Sequence, residues 1–266
     1  MESMTSRIRS TVLLSMLVLI SLMQLSGQAY DRAYYKVTFF DTKKEGMSQQ
    51  EFMDYMLETH IPLASKIPGL KGYIVNFPKL ELYEGDQEKP PYDAIAELWF
   101  EDEATFQAAM ASEEAQPALE DANKLFAEFP PMVVSEEVLM VYPEQAAWKD
   151  GYKATYLCTK HPDMAFGEMQ LMLMKNYIQR VIGLPGIKGY SYNFSDSDDP
   201  DLPFHLMVHT WFPSKAAADE ALKIAYGSPV MKKYREKTLG TMIGGQVDEY
   251  VVITPPTYRK SFSNPK

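Results

Sequence analysis

Cysteine is almost absent from this sequence of 266 residues. Its one cysteine, Cys158, cannot form a disulfide within the chain, so the fold must be held together by its core. Cys158 also has no predicted base beside it, which argues against a role as a nucleophile. A Gly-rich phosphate loop, a Ser–His–Asp set and a cluster with zinc-like spacing are missing as well, and we expect no metal site.

Positive charge is scarce too. The chain has 26 Lys and Arg residues against 36 Asp and Glu residues, which gives a formal net charge of −10. An acidic chain without a basic stripe is poorly suited to nucleic acid or to an anionic membrane surface. We therefore expect neither of them as a partner.

Only one long apolar run occurs, from Val12 to Leu25. Arg7 and Arg9 precede it, and Ser26-Gly-Gln-Ala29 follows it as a small-residue cleavage site. This order is typical of a secretory signal. We expect residues 1–29 to be removed and the mature protein to be secreted or periplasmic, with no membrane attachment after cleavage. An uncleaved N-terminal anchor is the alternative.

The rest of the chain is built from two copies of one pattern. Ile67-Pro-Gly-Leu-Lys-Gly-Tyr-Ile-Val-Asn-Phe77 returns as Leu184-Pro-Gly-Ile-Lys-Gly-Tyr-Ser-Tyr-Asn-Phe194, 117 residues later (184 − 67). Trp99-Phe100 returns as Trp211-Phe212, only 112 residues later, so the second copy has lost residues in a loop. Such a match predicts a tandem duplication.

Each copy has the hydrophobic pattern of β-α-β-β-α-β, the ferredoxin-like order. Its antiparallel sheet would have helices on one face, and the other face needs cover. We predict an α+β fold in which the two sheets pack as an intramolecular, pseudo-dimeric α+β barrel. A monomer is expected because the chain supplies both halves. The predicted boundaries are repeat 1 at 30–142, a linker at 143–150, repeat 2 at 151–254 and a loose tail at 255–266.

Several motifs of repeat 1 resemble the EthD family of the dimeric α+β barrel superfamily. They are His60-Ile-Pro-Leu63, Gly69-Leu-Lys-Gly72, Pro91-Tyr-Asp-Ala-Ile-Ala-Glu-Leu-Trp-Phe100 and Phe106-Gln-Ala-Ala109. The resemblance implies the barrel fold and a cavity between sheet and helices. Related fungal proteins imply cofactor-free dehydratase or tailoring chemistry on aromatic polyketides, and wider relatives include cofactor-free oxygenases, lactone isomerases and haem-handling enzymes.

His60 is the sharpest catalytic candidate. It follows Met56 by four residues and Phe52 by eight, so all three lie on the helix face that should meet the sheet. A half-buried histidine there suits general acid–base work, with Phe52, Met56 and Tyr73 as walls of a binding pocket. The alternative is a core histidine that donates to a backbone carbonyl. Repeat 2 has Tyr177 in this place.

The third strand of each repeat offers a second constellation. Alternation places Glu97 and His209 at equivalent positions on the mixed faces, which should meet across the barrel. This pair would bind a polar ligand, move a proton or be a satisfied buried pair. His205 and His209 are about 13 Å apart on a strand, too far for one metal ion. Since the two constellations lie on opposite sheet faces, they predict two separate places.

We therefore expect an exported protein that binds a small apolar or aromatic molecule. With His60 as acid–base, it would be a cofactor-free dehydratase, isomerase or oxidoreductase. A non-catalytic carrier or sensor with the same pocket is the rival hypothesis, and a duplication that serves assembly is the third. No cofactor is expected, although His60 or His209 could serve as the single axial ligand of a haem.

Overall fold

A computed structural model describes residues 34–82, 89–140, 151–199 and 201–259 of the chain. The predicted signal segment at 1–29 and the predicted linker at 143–150 lie outside these residues. The described part belongs to one compact unit. None of its helices is long and apolar enough to cross a membrane.

Repeat 1 contains five strands and three helices. The first helix, α1, consists of an α-helical part (Gln49–Tyr55), a π-helical turn (Met56–His60) and a second α-helical part (Ile61–Ala64). The strands are β1 (Tyr35–Lys43), β2 (Gly72–Pro78), β3 (Ala94–Phe100), β4 (Phe126–Glu128) and β5 (Pro131–Met140). The other helices are α2 (Glu103–Met110) and α3 (Gln116–Leu125), and Leu80–Leu82 form a 3-10 turn.

Repeat 2 follows the same order, but the counterpart of β4 is the start of its last strand, where Leu239 pairs with Lys160 as Phe126 pairs with Lys43. Its first helix, α4, again has three parts, Phe166–Met172, a π-helical turn at Leu173–Ile178 and Gln179–Val181. The strands are β6 (Tyr152–Lys160), β7 (Gly189–Ser195), β8 (Leu206–Phe212) and β9 (Leu239–Ile253). The helices are α5 (Lys215–Gly227), α6 (Pro229–Thr238) and the short α7 (Pro256–Arg259).

Eight strands close into one antiparallel barrel. Around the ring they follow the order β1, β3, β2, β9, β6, β8, β7 and β5, and β5 returns to β1. Two of these pairs join the repeats, because β2 pairs with β9 and β5 pairs with β7. The predicted pseudo-dimeric barrel within one chain is thereby confirmed. The short strand β4 adds to β1 outside the ring.

The register of the last strands differs by one residue from the sequence match. That match aligns Glu137 with Glu249, at an offset of 112. In the barrel, Glu136 faces Asn193 across β5 and β7, and Glu249 faces Asn76 across β9 and β2. Since Asn76 and Asn193 are equivalent, Glu136 is the true counterpart of Glu249. Adjacent Glu residues in repeat 1 conceal this shift in the sequence.

The first helix begins as the sequence predicts and ends later. Ser48 and Glu51 form a reciprocal capping box at its start. In the sequence, Pro62 predicts a first end of this helix before the one at Pro68-Gly69, but Pro62 lies in the first turn of the part Ile61–Ala64. Proline has no N–H to donate and fits a first helical turn. The π-helical turn before it supplies that new start, and it recurs in α4, so it belongs to both repeats.

The expected loose tail is ordered at its beginning. Tyr258 of α7 is buried, and its ring packs edge-on to Trp99 at 6.2 Å and to Trp211 at 6.3 Å between ring centres. The hydroxyl of Thr257 donates to Glu136 Oε2 at 2.8 Å. These contacts hold the tail across one end of the barrel, because aromatic burial offsets the entropy of ordering it.

Closure within one chain predicts a monomer. All eight ring strands have two neighbours, so no ring strand offers an open edge to a second copy. We expect size-exclusion chromatography with light scattering to give the mass of one chain at micromolar concentration. A concentration-independent mass of two chains would contradict this expectation.

Candidate functional site

The two faces of the barrel sheet have different surroundings, as the strand alternation predicts. The outward faces of β3 and β8 pack under the helices with their apolar side chains, among them Leu98 and Leu206. The inward faces carry Glu97 and His209, both fully buried in the lumen. Two places must therefore be considered, the lumen and the clefts between sheet and helices.

Glu97 lies at the centre of the lumen network. Its Oε2 is 2.6 Å from the Lys36 ammonium and 3.2 Å from His209 Nε2. Its Oε1 accepts a hydrogen bond of 2.6 Å from the side chain of Asn76. The second ring nitrogen of His209 is 2.9 Å from the Thr155 hydroxyl. The predicted meeting of Glu97 and His209 across the barrel is thus observed, and both imidazole nitrogens have protein partners.

The network has two arms related by the duplication. In the first, the Lys36 ammonium donates to Asn193 Oδ1 and to Glu136 Oε1, each at 2.7 Å. It also lies 4.2 Å from the centre of the Trp99 ring. In the second arm, the Lys153 ammonium donates to Asn76 Oδ1 at 2.7 Å and to Glu249 Oε1 at 2.6 Å. It lies 4.9 Å from the centre of the Trp211 ring.

Burial and mutual charge shift the lumen pKa values strongly. Burial opposes ionisation of Glu97, but its contact with His209 Nε2 and the positive charge of Lys36 hold its pKa well below the usual range. Burial lowers the pKa of His209 to about 4, so its imidazole is neutral at neutral pH and Lys36 is the effective counter-ion. Burial also lowers the pKa of Lys153 to about 7 and raises that of Glu249 well above its usual range. Both shifts favour uncharged groups in the second arm.

Apolar clusters close the lumen on both sides of this network. One contains Phe40, Ile95 and Leu157, and the other contains Trp99, Trp211 and Tyr258. Since the charged groups of the network pair with one another between these clusters, its geometry is that of a buried structural cluster, although the neighbouring Thr38 and Ser191 hydroxyls have no hydrogen-bond partner among the described residues. His209 cannot be an axial ligand without giving up one of its two partners.

The cleft of repeat 1 lies between the sheet and the helices and contains His60. His60 Nδ1 lies 2.9 Å from Asp121 Oδ2, and the Tyr55 hydroxyl donates to Asp121 Oδ1 at 2.7 Å. A carboxylate accepts hydrogen bonds, so Nδ1 carries the proton and Nε2 keeps its lone pair. Among the described residues, Nε2 has no hydrogen-bond partner. Burial lowers the pKa of His60, although Asp121 opposes this, and the neutral base is favoured.

Asp41 is the functional candidate that the sequence interpretation missed. It lines the same cleft as His60 and is only 2% exposed. Within the described residues, its carboxyl group has no hydrogen-bond or ion-pair partner. Burial raises its pKa to about 8, so it is a protonated acid at neutral pH. In the sequence, residues 41–46 have the composition of a turn, but β1 continues to Lys43. The alternation from Val37 through Phe39 then places Asp41 in the cleft.

The structure places the three predicted wall residues in two different surroundings. Tyr73 lines the cleft, and burial together with the charge of Asp41 raises the pKa of its hydroxyl. Phe52 and Met56 are fully buried in the core of repeat 1. Phe52 packs at 6.0 Å against Phe126, which in turn lines the cleft and packs edge-on to His60 at 5.1 Å. Phe52 therefore supports the wall rather than forming it.

Repeat 2 has a cleft at the equivalent place with different chemistry. Cys158, Tyr177 and Tyr190 line it, at the positions of Asp41, His60 and Tyr73. Burial raises the pKa of the Cys158 thiol to about 12, so it is not a ready nucleophile. Burial raises the pKa of Tyr177 as well.

The histidines of β8 and its approach do not form a metal site. His205 Nδ1 accepts from the Lys160 N–H at 3.4 Å, while both nitrogens of His209 face the lumen network. No group of three or more His, Cys, Asp and Glu side chains suited to a metal ion occurs in the described part of the chain.

Comparison with known families matches the EthD domain to residues 44–130. This range forms an EthD domain. The match contains α1, β2, β3, α2 and α3, which carry His60, Tyr73 and Asp121, and it confirms the resemblance seen in the motifs of repeat 1. No curated protein matches the sequence.

Solved structures share the whole barrel at low identity. An anthrone oxidase-like protein superposes with a TM-score of 0.60 and 14% identity, over 83% of this chain and 94% of its own. Provisionally named monooxygenases from Fusobacterium nucleatum and Lactobacillus acidophilus give TM-scores of 0.55 and 0.51, at 8% and 13% identity. The Fusobacterium protein is matched over 94% of its length and 84% of this chain. The Lactobacillus protein is matched over 98% of its length and 85% of this chain. At such identities, the likeness establishes the fold.

The lumen network predicts a large effect of Glu97→Gln on stability. The change leaves Lys36 buried without its central carboxylate, and breaking a buried pair costs about 3–5 kcal/mol. Urea unfolding followed by far-UV circular dichroism measures the loss. The control, Glu101→Gln, removes a carboxylate that is 60% exposed beside Lys71 and should change the free energy by less than about 1 kcal/mol. Equal, small effects would show that the network contributes little.

We predict that replacing Asp41 by a neutral side chain raises the free energy of unfolding near and above neutral pH. Its pKa in the fold lies near 8, against an ordinary value of 3.8, so its contribution to stability is full below pH 4 and is lost as the pH rises to 8. Asp41→Asn should therefore match the wild type near pH 4 and exceed it at pH 8, at about 1.4 kcal/mol per unit of pH between. Urea unfolding at both pH values tests this. The exposed Asp201→Asn is the control, and a gain that is independent of pH would contradict the argument.

Proposed function

We propose that the repeat 1 cleft binds a small apolar or aromatic molecule and transfers protons at it, with His60 as general base and Asp41 as general acid. One observation carries the proposal, namely that a neutral imidazole and an unpartnered, protonated carboxyl line the same cleft. The cleft is lined mainly by apolar and aromatic side chains, as small-molecule sites usually are. Export through residues 1–29 is part of this proposal.

The substrate class follows from this pair of groups. His60 Nε2 would remove a proton from a carbon made acidic by a neighbouring aromatic carbonyl, and Asp41 would donate a hydrogen bond to the developing enolate oxygen. Asp121 would hold the imidazole and stabilise the imidazolium, with Tyr55 fixing the carboxylate. Phe126 and Phe129 in the lining provide surfaces against which an aromatic ring can pack.

A cofactor-free oxidation is the reaction that this enolate chemistry supports best. An enolate can give an electron to dioxygen without a cofactor, after which a C–O bond forms and water is eliminated. For anthrone the balance is one anthrone and one dioxygen to one anthraquinone and one water, with carbon oxidised and oxygen reduced. The anthrone oxidase-like neighbour guides the choice of this probe, and isomerisation and dehydration use the same proton transfers.

Oxygen uptake with anthrone as substrate tests the proposal. We expect His60→Asn to lower kcat/KM by about 100-fold or more, because the base is lost. His161→Asn, at a histidine that lines neither cleft, should change it less than twofold. The wild-type rate should fall on the acidic side as His60 is protonated and on the alkaline side near pH 8, and Asp41→Asn should remove the alkaline limb.

Other outcomes would redirect the proposal. Saturable binding of anthrone with no enolate proton exchange in deuterated water and no oxygen uptake would favour the carrier hypothesis. Turnover that appears only after haem is added would contradict a cofactor-free reaction. A His60→Asn variant that keeps full activity would remove His60 from the site.

A further inference from the structure

The cleft of repeat 2 is larger than that of repeat 1 and almost wholly apolar. It measures about 730 Å³ with its open mouth, against about 480 Å³ in repeat 1. Leu173, Leu206 and Leu239 are among the side chains that line it. A carbon lining suits a flexible hydrocarbon chain, since each buried CH₂ contributes about 0.8 kcal/mol.

Among the described residues that line this cleft, Arg235 is the only one with a charged side chain. Its positive charge acts on the Tyr177 hydroxyl, whose pKa it lowers against the effect of burial, and its guanidinium lies 4.6 Å from the centre of the Tyr226 ring. Within the described residues, no carboxylate pairs with it. Arg235 is half-buried and its guanidinium packs on Tyr226, so it is placed to bind an anion at the edge of an apolar space.

We propose that the repeat 2 cleft is a second binding site, which takes a medium-chain aliphatic carboxylate with its head group on Arg235 and its tail among the leucines. A single guanidinium matches one carboxylate in a bidentate pair. The site is for binding rather than catalysis, because the Cys158 thiol and the Tyr177 hydroxyl stay protonated at neutral pH. It is independent of the function proposed for repeat 1.

Methionine methyl groups give each cleft its own reporter. Met242 lines the repeat 2 cleft and Met110 lines that of repeat 1. In protein labelled with ¹³C at the methionine methyls, Met242→Leu and Met110→Leu assign the two signals. Titration with decanoate should move the Met242 signal in a saturable way, and decanol, of equal length but uncharged, should bind about tenfold more weakly.

Removal of the guanidinium tests its role. Arg235→Gln should weaken decanoate binding about tenfold and change decanol binding less than about threefold, since only the charged head group is affected. Arg235→Lys should keep part of the preference for decanoate over decanol. Lys237→Gln, which removes an exposed charge from the same helix, is the matched control and should change neither affinity.

Four results would overturn the proposal. They are a decanoate response at Met110 alone, no saturable response at Met242, equal affinities for decanoate and decanol in the wild type, and equal losses for both ligands in Arg235→Gln. Each of them leaves the repeat 1 proposal untouched, because anthrone turnover is measured at the other cleft.

Discussion

The crossed pairing of the last strands is the constraint on which the rest of the fold depends. Strand β5 of repeat 1 pairs with β7 of repeat 2, and β9 of repeat 2 pairs with β2 of repeat 1. Neither repeat can therefore satisfy its own sheet edges, and the two must fold as one barrel. The closed ring then turns one face of every strand inward, so the polar residues on those faces have only one another as partners. The Glu97 network, with Lys36 and His209, is the result.

Much of this arrangement could be predicted from the sequence, because hydrophobic periodicity reports which face of a strand is apolar. It predicts that helices cover one face of each sheet and that Glu97 and His209 meet across the barrel. The duplication supplied the second half of the barrel. Each of these inferences uses either the spacing of residues within a strand or the match between two copies. Both are visible in the sequence without knowledge of the packing.

The parts that were missed depend on long-range packing. Asp41 resembles a turn residue beside Thr42 and Lys43, and only the continuation of β1 turns it into the cleft. Asp121 lies 61 residues after His60, and nothing in the spacing of α3 indicates that its carboxylate meets the imidazole. The same holds for Tyr258, whose tail sequence is rich in Pro and Ser yet crosses the barrel end.

The two clefts show how one backbone can be given different chemistry. Replacing an acid by a thiol and an imidazole by a phenol changes the groups that can exchange protons near neutral pH, while the walls stay apolar. Repeat 1 keeps an unpartnered Asp41 at a position where burial makes ionisation costly. Cys158 fills the same position in repeat 2 without that cost. A buried acid destabilises the fold at a position where a thiol would not, which is best explained by a functional role of Asp41 in the cleft. This contrast connects the stability of repeat 1 to its proposed function.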